Sequence, residues 1–155
     1  MLQDVVSVSL PVNERMRIKK NHFEPYNLTG KEKRICIVTG IHGDELEGQY
    51  VCYELIRRLG ENGHLLNGIV DIYPSMNPLG MDSIKREMPI FDLDMNMIFP
   101  GSETGAVAEH IAAAIMNDIK GADICIDIHA SNIFLREMLM YGREAQSKTR
   151  IASPA

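Results

Sequence analysis

Two short segments of this chain combine residue types that can hold a metal ion. The first reads Gly40-Ile-His42-Gly-Asp44-Glu45, with a histidine and a glutamate separated by two residues just after an apolar run. The second reads Asp127-Ile-His129, at the end of another apolar run. An imidazole in a loop and a carboxylate in the first turn of a following helix can bring a nitrogen and an oxygen to one point. Hydrolytic zinc commonly takes two histidines and one glutamate, at about 2.0–2.2 Å, with water as the fourth ligand. His42 and Glu45 provide two of these donors, and His129 provides the third. Asp127 shares the face of His129 at period two, where a carboxylate can orient a ligand imidazole from behind. From the residues alone two readings stand, a site for one zinc ion or a polar cluster with no ion, because the H-x-x-E spacing by itself is common. His22, His64 and His110 lie after an edge strand, in a polar loop and within a helix, and are expected to be solvated or satisfied in the core.

These residues need elements to place them. Val5 to Leu10 is β-rich, Pro11 to Glu14 is a turn, and Met16 to Lys20 alternates apolar and charged residues, so an N-terminal hairpin is expected. Arg34 to Thr39 is a short apolar run ended by Gly40, as in a strand covered on both faces. Cys52, Leu55, Ile56 and Leu59 recur at helical spacing, predicting a helix that starts near Asp44 and closes at Gly60. Gly68 to Tyr73 forms a second buried-type strand, stopped by Pro74 and the turn Asn77-Pro-Leu-Gly80. Met81 to Gly101 shows no period, which marks it as a binding loop or lid. Ala108, Ile111, Ala112, Ile115 and Ile119 predict another helix, with Thr104 as N-cap and Gly121 beyond its end. Asp123 to His129 is the third buried-type strand. Strands alternating with helices predict an α/β fold, a mixed, mostly parallel sheet with helices on its faces. In such sheets ligands gather beyond the carboxyl ends of the strands, where His42 and His129 fall.

With 45% hydrophobic and 24% charged residues, the composition is globular. A formal charge of -5, with Lys and Arg scattered among acids, disfavours nucleic acid as a partner. The absence of a long apolar run predicts no membrane association and a cytoplasmic location. Cys36, Cys52 and Cys125 are odd in number and lie in apolar runs, so they read as small core residues. With no linker or repeat in view, residues 1–155 read as one domain, or part of one.

Four motifs in order make the chain resemble the succinylglutamate desuccinylase and aspartoacylase family, a branch of the zinc carboxypeptidase-like hydrolases. They are Gly-Ile-His42-Gly-Asp-Glu45, Asn77-Pro-Leu-Gly80, Asp94-Met-Asn96-Met-Ile-Phe99-Pro100-Gly101 and Asp127-Ile-His129-Ala-Ser, within a stretch from about Arg34 to Glu137. The resemblance implies a carboxypeptidase-like sheet, one zinc ion on His42, Glu45 and His129, and hydrolysis of the amide bond of a small N-acyl amino acid or related compound. It further implies that Arg86 stabilises the developing oxyanion and that Asn96 binds substrate. The family pattern has arginine after this asparagine, whereas this chain has Met97. The general-base glutamate of the family belongs well downstream of the third zinc ligand. Glu137 and Glu144, the glutamates of the tail, do not match its context, although Glu137 reads as a strand residue. The chain is therefore expected to be a truncated member, with an incomplete sheet whose open edge favours self-association.

Two rival functions follow from the same residues. Met97 and the unmatched glutamate fit a catalytically silent zinc-binding remnant with a binding or assembly role. A peptide-trimming metallocarboxypeptidase shares the metal chemistry and differs in the 81–101 loop.

Overall fold

The computed structural model describes residues 1–131 and the backbone of residues 151–152. Its sheet is mixed, in the order β1-β2-β4-β3-β5-β6. β1 (Leu2–Ser9) and β2 (Arg15–Phe23) form the expected antiparallel hairpin, longer than the alternating segments. β2 runs antiparallel to β4 (Ile69–Tyr73). The parallel part is central, with β3 (Arg34–Thr39) between β4 and β5 (Ile124–Ile128). β6 (Ile151–Ala152) pairs antiparallel with β5, in an ending that carries no strand signature in the sequence. Glu137 and Glu144 lie outside the described residues.

Helices cover both faces. Register places Cys36 beside Asp71 and Val38 beside Tyr73, and this face packs against Ile111 and Ile115 of α3 (Val107–Ile119). The other face carries Thr39 and receives α1 (Glu47–Glu61). There α1 approaches closely at Gly48, where a Cβ would stand 2.1 Å from the Thr39 hydroxyl. Of the expected apolar stripe on α1 only Cys52 is fully buried; Leu55, Ile56 and Leu59 are half-buried, and Tyr50, Val51 and Tyr53 are exposed. Three sequence expectations are corrected at helix ends. α1 begins at Glu47 rather than near Asp44, so Glu45 sits in the turn before it, and Gly60 lies inside the helix, which Asn62 caps. The N-cap of α3 is Ala106 rather than Thr104. Its free N–H donates to the Glu109 carboxylate at 2.7 Å, so a side chain reaching back replaces a hydroxyl cap.

The 81–101 region is held at intervals. α2 (Pro78–Ser83) is capped by Asn77, whose Oδ1 accepts the Gly80 N–H at 2.9 Å. Met88 pairs with Leu93, a 3-10 turn spans Met95–Met97, and Met88 and Met95 are both buried in the core. Two anchored methionines explain how a segment with no period keeps one path.

Towards the amino ends of the parallel strands, the α3 face buries a charged cluster. The fully buried Asp71 accepts from His22 at 2.6 Å, Arg34 at 2.8 Å and Lys20 at 3.3 Å. Lys20 also meets Asp118 of α3 at 2.9 Å, and the Tyr73 hydroxyl donates to Asp118 at 2.5 Å. Burial raises the Asp71 pKa, but the hydrogen bonds from His22 and Arg34 and the charges of Lys20 and Arg34 outweigh it, leaving it below the usual carboxylate value. His22 is thus satisfied by partners, as expected. Cys36, Cys52 and Cys125 are free thiols. Among the described residues no helix is long and apolar enough to cross a membrane.

Candidate metal centre

β3 delivers His42 through a tight exit. Gly40 has φ +69°, and its carbonyl accepts the Asn77 N–H at 2.8 Å, which ties the end of β3 to the segment after β4. The next turn is pressed against α2. A Cβ on Gly43 would lie 2.0 Å from the Gly80 carbonyl carbon, so the missing side chain at Gly43 allows this backbone contact, while Gly80 leaves room for the Asn77 side chain. The Gly43 N–H also donates to the Lys85 carbonyl at 3.0 Å. On the other side, Thr39 pairs with Ile128 in register and its hydroxyl donates to the Ile128 carbonyl at 3.1 Å. That bond aligns the ends of the two strands, and His129 emerges beside the His42 turn.

His42, Glu45 and His129 converge, each offering one ligand atom within 4.8 Å of the others. His42 Nδ1 is 2.8 Å from Glu45 Oε1, His129 Nδ1 is 3.1 Å from Glu45 Oε2, and the two Nδ1 atoms stand 3.2 Å apart. His42 is 2% exposed and Glu45 5% exposed. The outer nitrogens face carboxylates: His42 Nε2 meets Asp94 Oδ1 at 3.1 Å, and His129 Nε2 meets Asp127 Oδ2 at 3.0 Å. Glu45 faces the two Nδ1 atoms as well, so a cation held at the Nδ1 atoms would leave each ring its proton on Nε2, donated to Asp94 or Asp127. Two ring nitrogens and a buried carboxylate brought this close together can share one cation. Nitrogens each about 2.05 Å from a tetrahedral ion stand roughly 3.3 Å apart, close to the separation here. The donor set fits a divalent metal.

The surroundings are electrostatically coupled. The hydrogen bond to Asp127 raises the His129 pKa, opposed by burial and reinforced by the charges of Asp127 and Glu45. For Asp94, burial raises the pKa, while the Asn96 N–H, His42 and Arg86 together bring it below the ordinary value. Glu45 Oε2 also accepts the Ala130 N–H at 2.9 Å. Arg86 lies at the site, 3.4 Å from Glu45 Oε1 and 3.4 Å from Asp94 Oδ2. Asn96 sits in the adjacent 3-10 turn; its backbone N–H donates to Asp94 at 2.9 Å, and its side chain is exposed. Asp94 is the residue whose role sequence reasoning missed. Its signal was present in the Asp94-Met-Asn96 motif, but nothing in linear spacing shows that a carboxylate 52 residues after His42 closes on its ring.

The family model of the succinylglutamate desuccinylase/aspartoacylase catalytic domain matches residues 31–150. The chain belongs to this family. Among curated relatives it is 30% identical over 102 residues to N-alpha-acetyl-L-2,4-diaminobutyric acid deacetylase of Halomonas elongata, covering 65% of this chain and 29% of that protein. Among solved structures, a succinylglutamate desuccinylase/aspartoacylase from Rhodobacter sphaeroides superposes with a TM-score of 0.72 at 26% identity, covering 84% of this chain and 40% of the other. A metallo-carboxypeptidase from Burkholderia cenocepacia shares the fold at a TM-score of 0.64 and 17% identity, with 84% and 36% covered. The carboxypeptidase-like α/β fold expected of a family member is therefore present. The chain spans less than half the length of each of these relatives. Its family contains deacetylases and desuccinylases, which are hydrolases.

Proposed function

We propose that residues 1–155 are part of one catalytic domain of a zinc-dependent hydrolase that cleaves the amide bond of a small N-acyl amino acid or related compound. The observation that carries this is the convergence of His42 Nδ1, Glu45 and His129 Nδ1, with both Nε2 atoms held by carboxylates. When bound, zinc supplies Lewis-acid polarisation of a carbonyl and acidifies water.

The protein's own residues do the rest. Asp94 and Asp127 hold the two imidazoles by their Nε2 protons, keeping both Nδ1 atoms aimed at one point. Arg86 sits beside Glu45, where its guanidinium can donate to an oxygen gaining negative charge. Asn96 stands exposed on the neighbouring turn, available to a substrate polar group. The proposed partners are small acylated amino acids, with no nucleic acid, in a cytoplasmic setting.

Metal analysis of the purified protein, followed by chelation and reloading, tests this reading. One zinc per chain is expected, lost in His42→Ala and in His129→Ala, with metal-dependent release of free amine from a panel of N-acyl amino acids. A wild-type protein that takes up no stoichiometric zinc overturns the site. Zinc uptake without turnover favours the second reading, a silent zinc-binding module, which Met97 supports by offering no donor where a substrate carboxylate would be held.

A further inference from the structure

Arg86 is tied to the ligand turn through the backbone beside it. The preceding residue, Lys85, accepts the Gly43 N–H at 3.0 Å, and Gly43 lies between the proposed ligands His42 and Glu45. Lys85 in turn donates its N–H to the Gly80 carbonyl at 2.8 Å. Ile84, one residue earlier, has φ +51° and ψ +50°, a left-handed conformation that is unfavourable for a β-branched residue. These bonds hold the chain in that turn, and the turn brings Arg86 to Glu45.

The side chain closes a ring of contacts around His42. Glu45 Oε1 lies 2.8 Å from His42 Nδ1 and 3.4 Å from Arg86 Nη1. Asp94 Oδ2 lies 3.4 Å from Arg86 Nε, and Asp94 Oδ1 lies 3.1 Å from His42 Nε2. One oxygen, Glu45 Oε1, thus faces both a ring nitrogen of the metal centre and the guanidinium. The imidazoles apart, Arg86 is the one cation among the described residues that pairs with Glu45, Asp94 or Asp127. A guanidinium stays charged at any working pH, so its charge always opposes that of an ion held by Glu45. Both of its contacts are long for charge-assisted hydrogen bonds, and the side chain is 45% exposed, so the guanidinium can exchange these carboxylates for water at little cost.

We propose that Arg86 is a built-in competitor for the metal: its guanidinium offsets the charges of Glu45 and Asp94, so the protein holds its ion more weakly than the three ligands would by themselves. The inference rests on the proposed metal site and goes beyond it by naming a residue that sets the strength of binding.

Zinc affinity, measured by competition with a chromophoric chelator and with no substrate present, tests it. Arg86→Met removes the charge, and Arg86→Gln removes it while keeping an amide donor. Each is expected to bind zinc about tenfold more tightly than the wild type, a figure reduced for the water and salt that reach a half-exposed guanidinium. Arg86→Lys, which keeps the charge, should stay closer to the wild type than to either neutral variant. In excess chelator the neutral variants should also melt below the wild type, because Glu45 and Asp94 then lack their cation, and saturating zinc should narrow that gap. Either neutral variant is sufficient if the other does not fold. Unchanged or weaker zinc binding in the neutral variants would mean that Arg86 only positions the two carboxylates, and overturns the inference while leaving the metal site standing. Failure of the wild type and every variant to take up zinc overturns both.

Discussion

His42 has carboxylates at both ring nitrogens, Glu45 at Nδ1 and Asp94 at Nε2, and is almost fully buried. A ring held this way has one orientation, and with an ion at Nδ1 Asp94 would be the group that takes the Nε2 proton. Asp94→Ala is expected to lower metal affinity by about 10–100-fold, measured by chelator competition, because the imidazole loses the partner that fixes its proton. Asp94→Asn should lose less, since an amide oxygen still accepts from Nε2. Affinity unchanged in Asp94→Ala would remove Asp94 from the site. The same comparison separates Asp94 from Arg86, which touches both Glu45 and Asp94 but neither imidazole.

β2, β3, β4 and α3 are joined by the cluster around Asp71. Lys20 and His22 come from β2 and Arg34 from β3, so the Asp71 carboxylate ties three strands together, and Lys20 and Arg34 carry the link on to Asp118 of α3. Removing its charge leaves Lys20 and Arg34 short of a partner inside the protein. Asp71→Asn is expected to cost about 3–5 kcal/mol of stability in urea unfolding at pH 7. The sign with pH follows from the depressed folded pKa of Asp71. Its contribution is fully present above the unfolded carboxylate value of about 3.9 and is lost as pH falls through the lower folded value. The stability gap between wild type and Asp71→Asn should therefore begin to narrow below about pH 4 and go on narrowing as the pH falls through the folded value. A gap that stays constant as the pH is lowered through this range would mean that packing, not charge, makes the difference.

At the scale of the whole molecule, an ion at the proposed site would be coupled to folding. The ligands come from the turns after β3 and β5, and those turns are held in place by the parallel register and by the contact with α2. Because the unfolded chain has no such convergence, an ion that binds the folded form stabilises it. At a free zinc concentration about 100 times the dissociation constant, the gain is roughly 2.7 kcal/mol. For a chain of this size that raises the melting temperature by about 5–10 °C. Calorimetry with and without a chelator reads the shift, and the increment should vanish in Glu45→Gln. An equal shift in that variant would place the ion elsewhere.

The sequence by itself determined the three ligand candidates, Asp127 behind His129, the strand–helix alternation and the chain's family resemblance, because local spacing and apolar periodicity are properties of neighbouring residues. It misplaced the starts of α1 and α3, since a glycine-rich turn pressed on α2 and the reach-back of Glu109 decide those ends. It could not see Asp94 on His42, nor Asp71 among Lys20, Arg34 and Asp118. Those contacts join residues tens of positions apart, and only the sheet register and the two anchored methionines of the 81–101 loop bring them within hydrogen-bond reach. The metal candidates and Asp127 were thus legible from spacing, whereas Asp94, the carboxylate on His42, was decided by tertiary packing.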